Sequence, residues 1–90
     1  LIYFFYQPKY LNVAGELART LGRYGEAEPL LKLALEIWEK VLGPNHPNLV
    51  IGLLNYAYML REMERGEEAD RLEKRAKAIR EKHAQQNPPN

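Results

Sequence analysis

Gly25-Glu26-Ala27-Glu28-Pro29-Leu30-Leu31-Lys32-Leu33-Ala34-Leu35-Glu36-Ile37-Trp38-Glu39-Lys40 decides the fold, because it is met twice. Forty-two residues on, the chain reads Glu67-Glu68-Ala69-Asp70-Arg71-Leu72-Glu73-Lys74-Arg75-Ala76-Lys77-Ala78-Ile79-Arg80-Glu81-Lys82. Ala27, Leu30, Lys32, Ala34, Ile37 and Lys40 have identical residues at Ala69, Leu72, Lys74, Ala76, Ile79 and Lys82, and upstream Leu11 matches Leu53. A fixed period of this length marks a stacked repeat. Stacked repeats usually present a surface rather than a reaction centre.

Leu30, Leu31, Leu33, Ala34, Ile37, Trp38 and Val41 form a wide apolar stripe on a helix expected from about Gly25 to Leu42. Glu26 and Glu28 sit in its first turn, where the helix dipole favours carboxylates. Pro29 is near enough to the start to be tolerated. Upstream, Leu11, Ala14, Leu17, Ala18 and Leu21 predict one apolar face of a helix from about Pro8 to Leu21, with Gly22 as a left-handed cap. Downstream, Gly43-Pro44-Asn45-His46-Pro47 stops one helix and starts the next. Pro47 is expected at the first helical position, and the helix runs to about Met63. It is apolar on more than one side, as a flanked element must be. A last helix, about Glu67 to Ala84, has only the narrow apolar face Ala69, Leu72, Ala76 and Ile79. The pairs Glu36–Lys40, Glu67–Arg71, Asp70–Lys74 and Glu73–Lys77 are expected on wet helix faces. Residues from Gln85 onward are expected to fray.

Ninety residues make a single domain, and the formal net charge of +1 gives no long-range field for nucleic acid. A chain this short buries roughly 60–65% of its unfolded surface, so its stability is marginal without help. With no cysteine, disulfides, thiolate catalysis and Cys-based metal sites are excluded, and a reducing, cytoplasmic setting is the expectation. The absence of serine removes a Ser-His-Asp arrangement. No Gly-rich phosphate loop occurs. Neither His46 nor His83 has a ligand-spaced partner, so no metal and no cofactor is expected. The apolar opening Leu1-Ile2-Tyr3-Phe4-Phe5-Tyr6 is too short to span a bilayer. The basic run from Arg71 to Lys82 is interleaved with carboxylates and lacks aromatics for stacking, so it reads as a solvated helix rather than a nucleic-acid face.

The turn Gly22-Arg23-Tyr24, the run Glu26-Ala27-Glu28-Pro29-Leu30-Leu31, then Ala34-Leu35-Glu36-Ile37 and Leu42-Gly43-Pro44-Asn45-His46-Pro47 resemble the tetratricopeptide repeat. The resemblance is to its longer, 42-residue form, found in kinesin light chains and many bacterial proteins. The resemblance covers about residues 8–86. It implies an all-α fold of two helix-turn-helix repeats stacked as a short right-handed solenoid. Residues 1–7 are then an apolar lead-in, 8–49 repeat one, 50–86 repeat two with a polar capping helix, and 87–90 a tail. Glu73 and Arg75 stand where repeat one has Leu31 and Leu33, which fits the end of a stack.

In proteins of this family the first helix of each repeat lines a concave groove that holds an extended peptide, and an Asn there bonds the peptide backbone. Aligned on Gly15 and Ala57, that place is Val13 in repeat one and Asn55 in repeat two; Asn12 is the neighbouring alternative. The resemblance implies a peptide-binding set of Asn55, Tyr58, Arg61, Asn12, Glu16 and Arg19, with Lys9, Ile51 and Glu62 also facing the groove. An Asn amide can donate and accept together, which suits a peptide bond. The plainer reading is that these are solvated helix residues. Trp38, where repeat two has Arg80, is expected to cover Tyr3 to Tyr6, the alternative being an exposed contact residue. His46 is expected to be a structural residue of its loop.

The function expected is therefore non-enzymatic: recognition of a partner protein or peptide segment through the helical groove, with no nucleic acid and no membrane. Self-association through Leu1–Tyr6 is a further expectation, since two repeats bury little. The alternatives are a structural C-terminal cap or self-association unit of a longer array, and a regulatory domain of a larger protein.

Overall fold

A computed structural model describes residues 7–87. Four helices follow one another: α1 (Pro8–Thr20), α2 (Tyr24–Leu42), α3 (Leu49–Glu62) and α4 (Gly66–Gln86). They pack as two hairpins, α1 with α2 and α3 with α4, and the second hairpin leans on the first through α2 and α3. The molecule measures 43 × 35 × 20 Å. The expected all-α fold of two helix pairs is observed.

The two hairpin turns are built alike. After α1 the Arg23 N–H donates to Ala18 O (2.8 Å) and the Gly22 N–H to Arg19 O (2.9 Å). After α3 the Arg65 N–H donates to Leu60 O (2.8 Å) and the Glu64 N–H to Arg61 O (3.1 Å). Both sets of bonds satisfy carbonyls that a helix end leaves open. The left-handed residue is Gly22 (φ 76°) in the first turn but Glu64 (φ 61°) in the second. Pro29 lies inside α2. The carbonyl it deprives of a partner is that of Gly25, which is exposed and reaches water.

Two helix boundaries move by two residues, the others by one at most. Pro47 is not the first residue of α3; Pro47 and Asn48 form a turn, and the helix begins at Leu49. The first bonds there span three residues, from the Leu49 N–H to His46 O (3.0 Å) and from the Val50 N–H to Pro47 O (3.1 Å), so a tighter turn precedes the helix, and His46 Nδ1 accepts the Asn48 N–H at 3.1 Å. At the other end α4 continues to Gln86, two residues past the expected end. The Tyr3–Tyr6 cover for Trp38, self-association through Leu1–Tyr6 and the Pro88–Asn90 tail lie outside the described residues.

The core is centred on α3, which is buried on two sides. Leu49, Leu53 and Met59 are fully buried, and Leu60 nearly so. Leu35 from α2 and Ala76 and Ile79 from α4 close around Leu49, Val50 and Leu53. Trp38 also packs on this cluster, and its ring edge lies beside the Gly52 backbone on α3. Fully buried Ala27, Ala34, Ala69 and Ala76 keep the helix crossings close. Gly15 is tighter still: a Cβ there would stand 2.6 Å from Leu31 Cδ2.

The apolar residues expected on one face of α1 divide between two. Leu11 and Ala18 are buried, whereas Leu17 and Leu21 are about 60% exposed and Ala14 is exposed. Leu17 and Leu21 line a shallow depression with Leu30 of α2. This outer side of the first hairpin is apolar, and Val41 extends it at 72% exposure. The side of α4 beyond Ala69, Ala76 and Ile79 is polar and exposed.

Candidate functional site

Helix geometry sorts the expected site residues into two strips. On α1, Asn12, Glu16 and Arg19 recur at four- and three-residue spacing and share one half-buried side. On α3, Ile51, Asn55, Tyr58 and Glu62 share one side in the same way. Arg19 joins the strips. Its Nε donates to Glu16 Oε2 at 2.7 Å and its Nη1 to Glu62 Oε1 at 3.0 Å. Its guanidinium also lies over the Tyr58 ring, 4.9 Å from the centroid. Charge-assisted bonds and a stacked cation hold the long side chain in place. The two carboxylates, Glu16 first and then Glu62, raise the Arg19 pKa and keep the guanidinium charged.

Asn55 and Asn12 differ from their neighbours. Both are half-buried, and the side-chain amide of neither has a hydrogen-bond partner among the described residues. Each amide offers two donors and an acceptor. Val13 and Ile51 stand beside them, each more than 60% exposed. The shared face of α1 and α3 thus combines exposed apolar surface, unused amides and one fixed cation.

Arg61 is placed elsewhere. It turns away from α1 toward α4, where its Nη2 reaches Asp70 Oδ1 and Glu73 Oε1 and its Nε reaches Glu73 Oε2 at 3.0 Å. Glu73, then Asp70, raise its pKa, and Arg61 in turn lowers that of Glu73. Asp70 and Glu73 therefore turn to α3 rather than to the expected Lys74 and Lys77. Among the described residues, only Lys77–Glu81 (4.0 Å) is an ion pair at i,i+4 spacing.

Sequence reasoning missed the polar links between the hairpins. Arg65 Nη1 donates to Glu28 Oε1 at 2.8 Å, and the Tyr56 hydroxyl donates to Glu28 Oε2 at 2.7 Å. Arg65 also holds Glu68. Arg65 is the main cause that keeps the Glu28 carboxyl below its ordinary range, against the opposing effect of burial. Burial, and then the Glu28 charge, push the Tyr56 phenol up. Arg75 bonds both Glu39 and the Pro44 carbonyl oxygen. A pairing between residues 36 to 43 positions apart has no local signature in the chain.

Among the described residues no group of His, Asp or Glu is arranged to hold a metal ion. No helix among them is long and apolar enough to cross a membrane. The larger surface depressions are open and shallow; one lies between Gln7, Ile37, Trp38 and Val41, another at Glu64 to Arg71. A family model described as tetratricopeptide repeat matches residues 7–82. No curated protein and no solved structure matches the chain.

Proposed function

The chain belongs to the tetratricopeptide repeat family, whose repeats generally serve in protein–protein interaction and are typically non-catalytic; from that premise we propose that it binds an extended partner segment along the face shared by α1 and α3. The observation that carries this reading is the unused, half-buried amide of Asn55 on that face. The amide atoms of Asn55 reach solvent, so a peptide backbone on this face would exchange their water for a direct hydrogen bond. Asn12 is the second such amide, with Tyr58, Glu16 and Arg19 as the flanking contacts. Arg61 is held by Asp70 and Glu73, so it contributes less than its position on α3 suggested. In this reading residues 8–49 are repeat one and 50–86 repeat two of a single domain over 1–90, in the 42-residue form of kinesin light chains.

One observation favours a second role beside the first. Where repeat one has Glu28 and Leu31, repeat two has Asp70 and Glu73, both taken by Arg61. A charged lock in place of a buried leucine suits a hairpin that ends a stack. The chain would then be the C-terminal cap of an array as well as part of its groove.

The test is a titration. Extended peptides selected on the chain from a random library are titrated into the wild type and Asn55→Ala. A loss of about tenfold in affinity is expected, roughly one hydrogen-bonded amide. The helical circular dichroism spectrum should not change, because Asn55 bonds nothing within the described chain. Equal affinity for the two proteins rejects the groove assignment.

A further inference from the structure

The charge arrangement of the α1–α3 face selects among possible ligands. Arg19 is its one half-buried cation, and it is already engaged. Nε serves Glu16, Nη1 serves Glu62, and the plane of the guanidinium lies over Tyr58. A ligand carboxylate approaching Arg19 would meet two carboxylates in the same place, and like charges in close contact repel. Each of these glutamates gives one oxygen to Arg19. Glu16 Oε1 and Glu62 Oε2 have no partner among the described residues. The triad therefore carries one surplus negative charge and two open acceptor oxygens.

Arg61, the cation of α3, adds nothing positive to this face. It is held by Asp70 and Glu73, a second triad of the same sign. Lys9, at the start of α1, lies over the Tyr10 ring, 5.4 Å from its centroid. The formal net charge of +1 conceals this division, because exposed cations such as Lys74, Lys77 and Arg80 are on α4. Apolar surface borders the Arg19 triad: Val13, Ile51 and Tyr58 are each about 60% exposed.

We propose that the segment bound on this face carries a basic side chain, set among apolar ones, and that its ammonium or guanidinium docks on the open oxygens of Glu16 and Glu62. This rests on the groove reading above and adds the sign of the ligand. Asn55 would hold the backbone, Val13, Ile51 and Tyr58 the apolar side chains, and the two glutamates the cation. Arg19 then acts as a positioning residue: it fixes both carboxylates so that their free oxygens stay ordered.

Three synthetic nine-residue peptides test this. They share one Leu, Tyr and Ala framework and carry Lys, Gln or Glu at the same alternate positions. Each is titrated into the 15N-labelled chain, and shifts are followed at Asn55 and Tyr58. The Lys peptide should bind about five- to tenfold tighter than the Glu peptide in low salt, and the gap should narrow as salt rises. In the Glu16→Gln/Glu62→Gln protein Arg19 loses both ionic partners, so the order should reverse in favour of the Glu peptide. Equal or tighter binding of the Glu peptide to the wild type overturns the proposal, as does an unchanged order in the double variant. If the Gln peptide shifts Asn55 while all three bind alike, the sign of the ligand is refuted and the groove stands. If no peptide shifts Asn55, the groove reading falls and this inference with it.

Discussion

At the scale of single residues, two glycines show how closely the packing is drawn. A Cβ at Gly15 would lie 2.6 Å from Leu31 Cδ2 and 3.3 Å from the Leu31 backbone nitrogen. Leu31 is nearly fully buried, so it has little room to yield. Gly15→Ala is therefore expected to destabilise by about 1–3 kcal/mol in urea unfolding, despite the better helix propensity of Ala. At Gly52 the same atom would lie 3.2 Å from the edge of the Trp38 ring, and that half-buried ring can shift. Gly52→Ala should change stability by less than about 1 kcal/mol, the propensity gain of about that size offsetting the crowding. A larger loss at Gly52 than at Gly15 would show that the two crossings had been ranked wrongly. The small residue at Gly15 was legible because Ala57 answers it in the second repeat. The left-handed Glu64 was not: the turn reads as Glu64-Arg65-Gly66, and its glycine is not the residue with positive φ.

At the scale of elements, the period revealed the helices and their pairing but not the bonds between pairs. Helix faces follow from spacing within one segment. The partner of Arg19 or Arg75 depends on how far one hairpin is rotated on the other, and no spacing encodes that. Leu17 and Leu21 illustrate the same limit. They keep helical spacing with Ala14 and Ala18, yet only Ala18 turns toward α2 and α3. The group Glu28, Tyr56, Arg65 and Glu68 makes the link between hairpins sensitive to pH. The folded chain holds the Glu28, Glu68 and Glu73 carboxyls below the ordinary value of 4.5. A carboxyl depressed on folding contributes stability above its unfolded pKa and loses it as pH falls through the folded one. Unfolding free energy should thus be level from neutral pH to about 5 and decline below about 4.5. Glu28→Gln should flatten part of that decline in urea titrations at successive pH values. An identical slope in the variant would remove Glu28 from the account.

At the scale of the whole molecule, stability is concentrated in α3 and thin at the α1 edge. Leu53 is fully buried between the hairpins, so Leu53→Ala should cost about 2–5 kcal/mol. Leu17 and Leu21 are each about 60% exposed, and Leu17→Lys/Leu21→Lys should cost under about 1 kcal/mol. Comparing the Tm of the two variants checks this; a similar loss in both would mean that the α1 edge is covered in solution. The two ends of the molecule are also mismatched. The outer side of the first hairpin is apolar, whereas the far side of the second carries Arg61 with its two carboxylates and the charged surface of α4. Identical units stacked head to tail generate open filaments whenever each end fits the other. Here a leucine-lined surface would have to dehydrate an ionic triad at every junction. The charged far side of the second hairpin thus opposes head-to-tail growth of such a column, because each added unit would bear that desolvation cost.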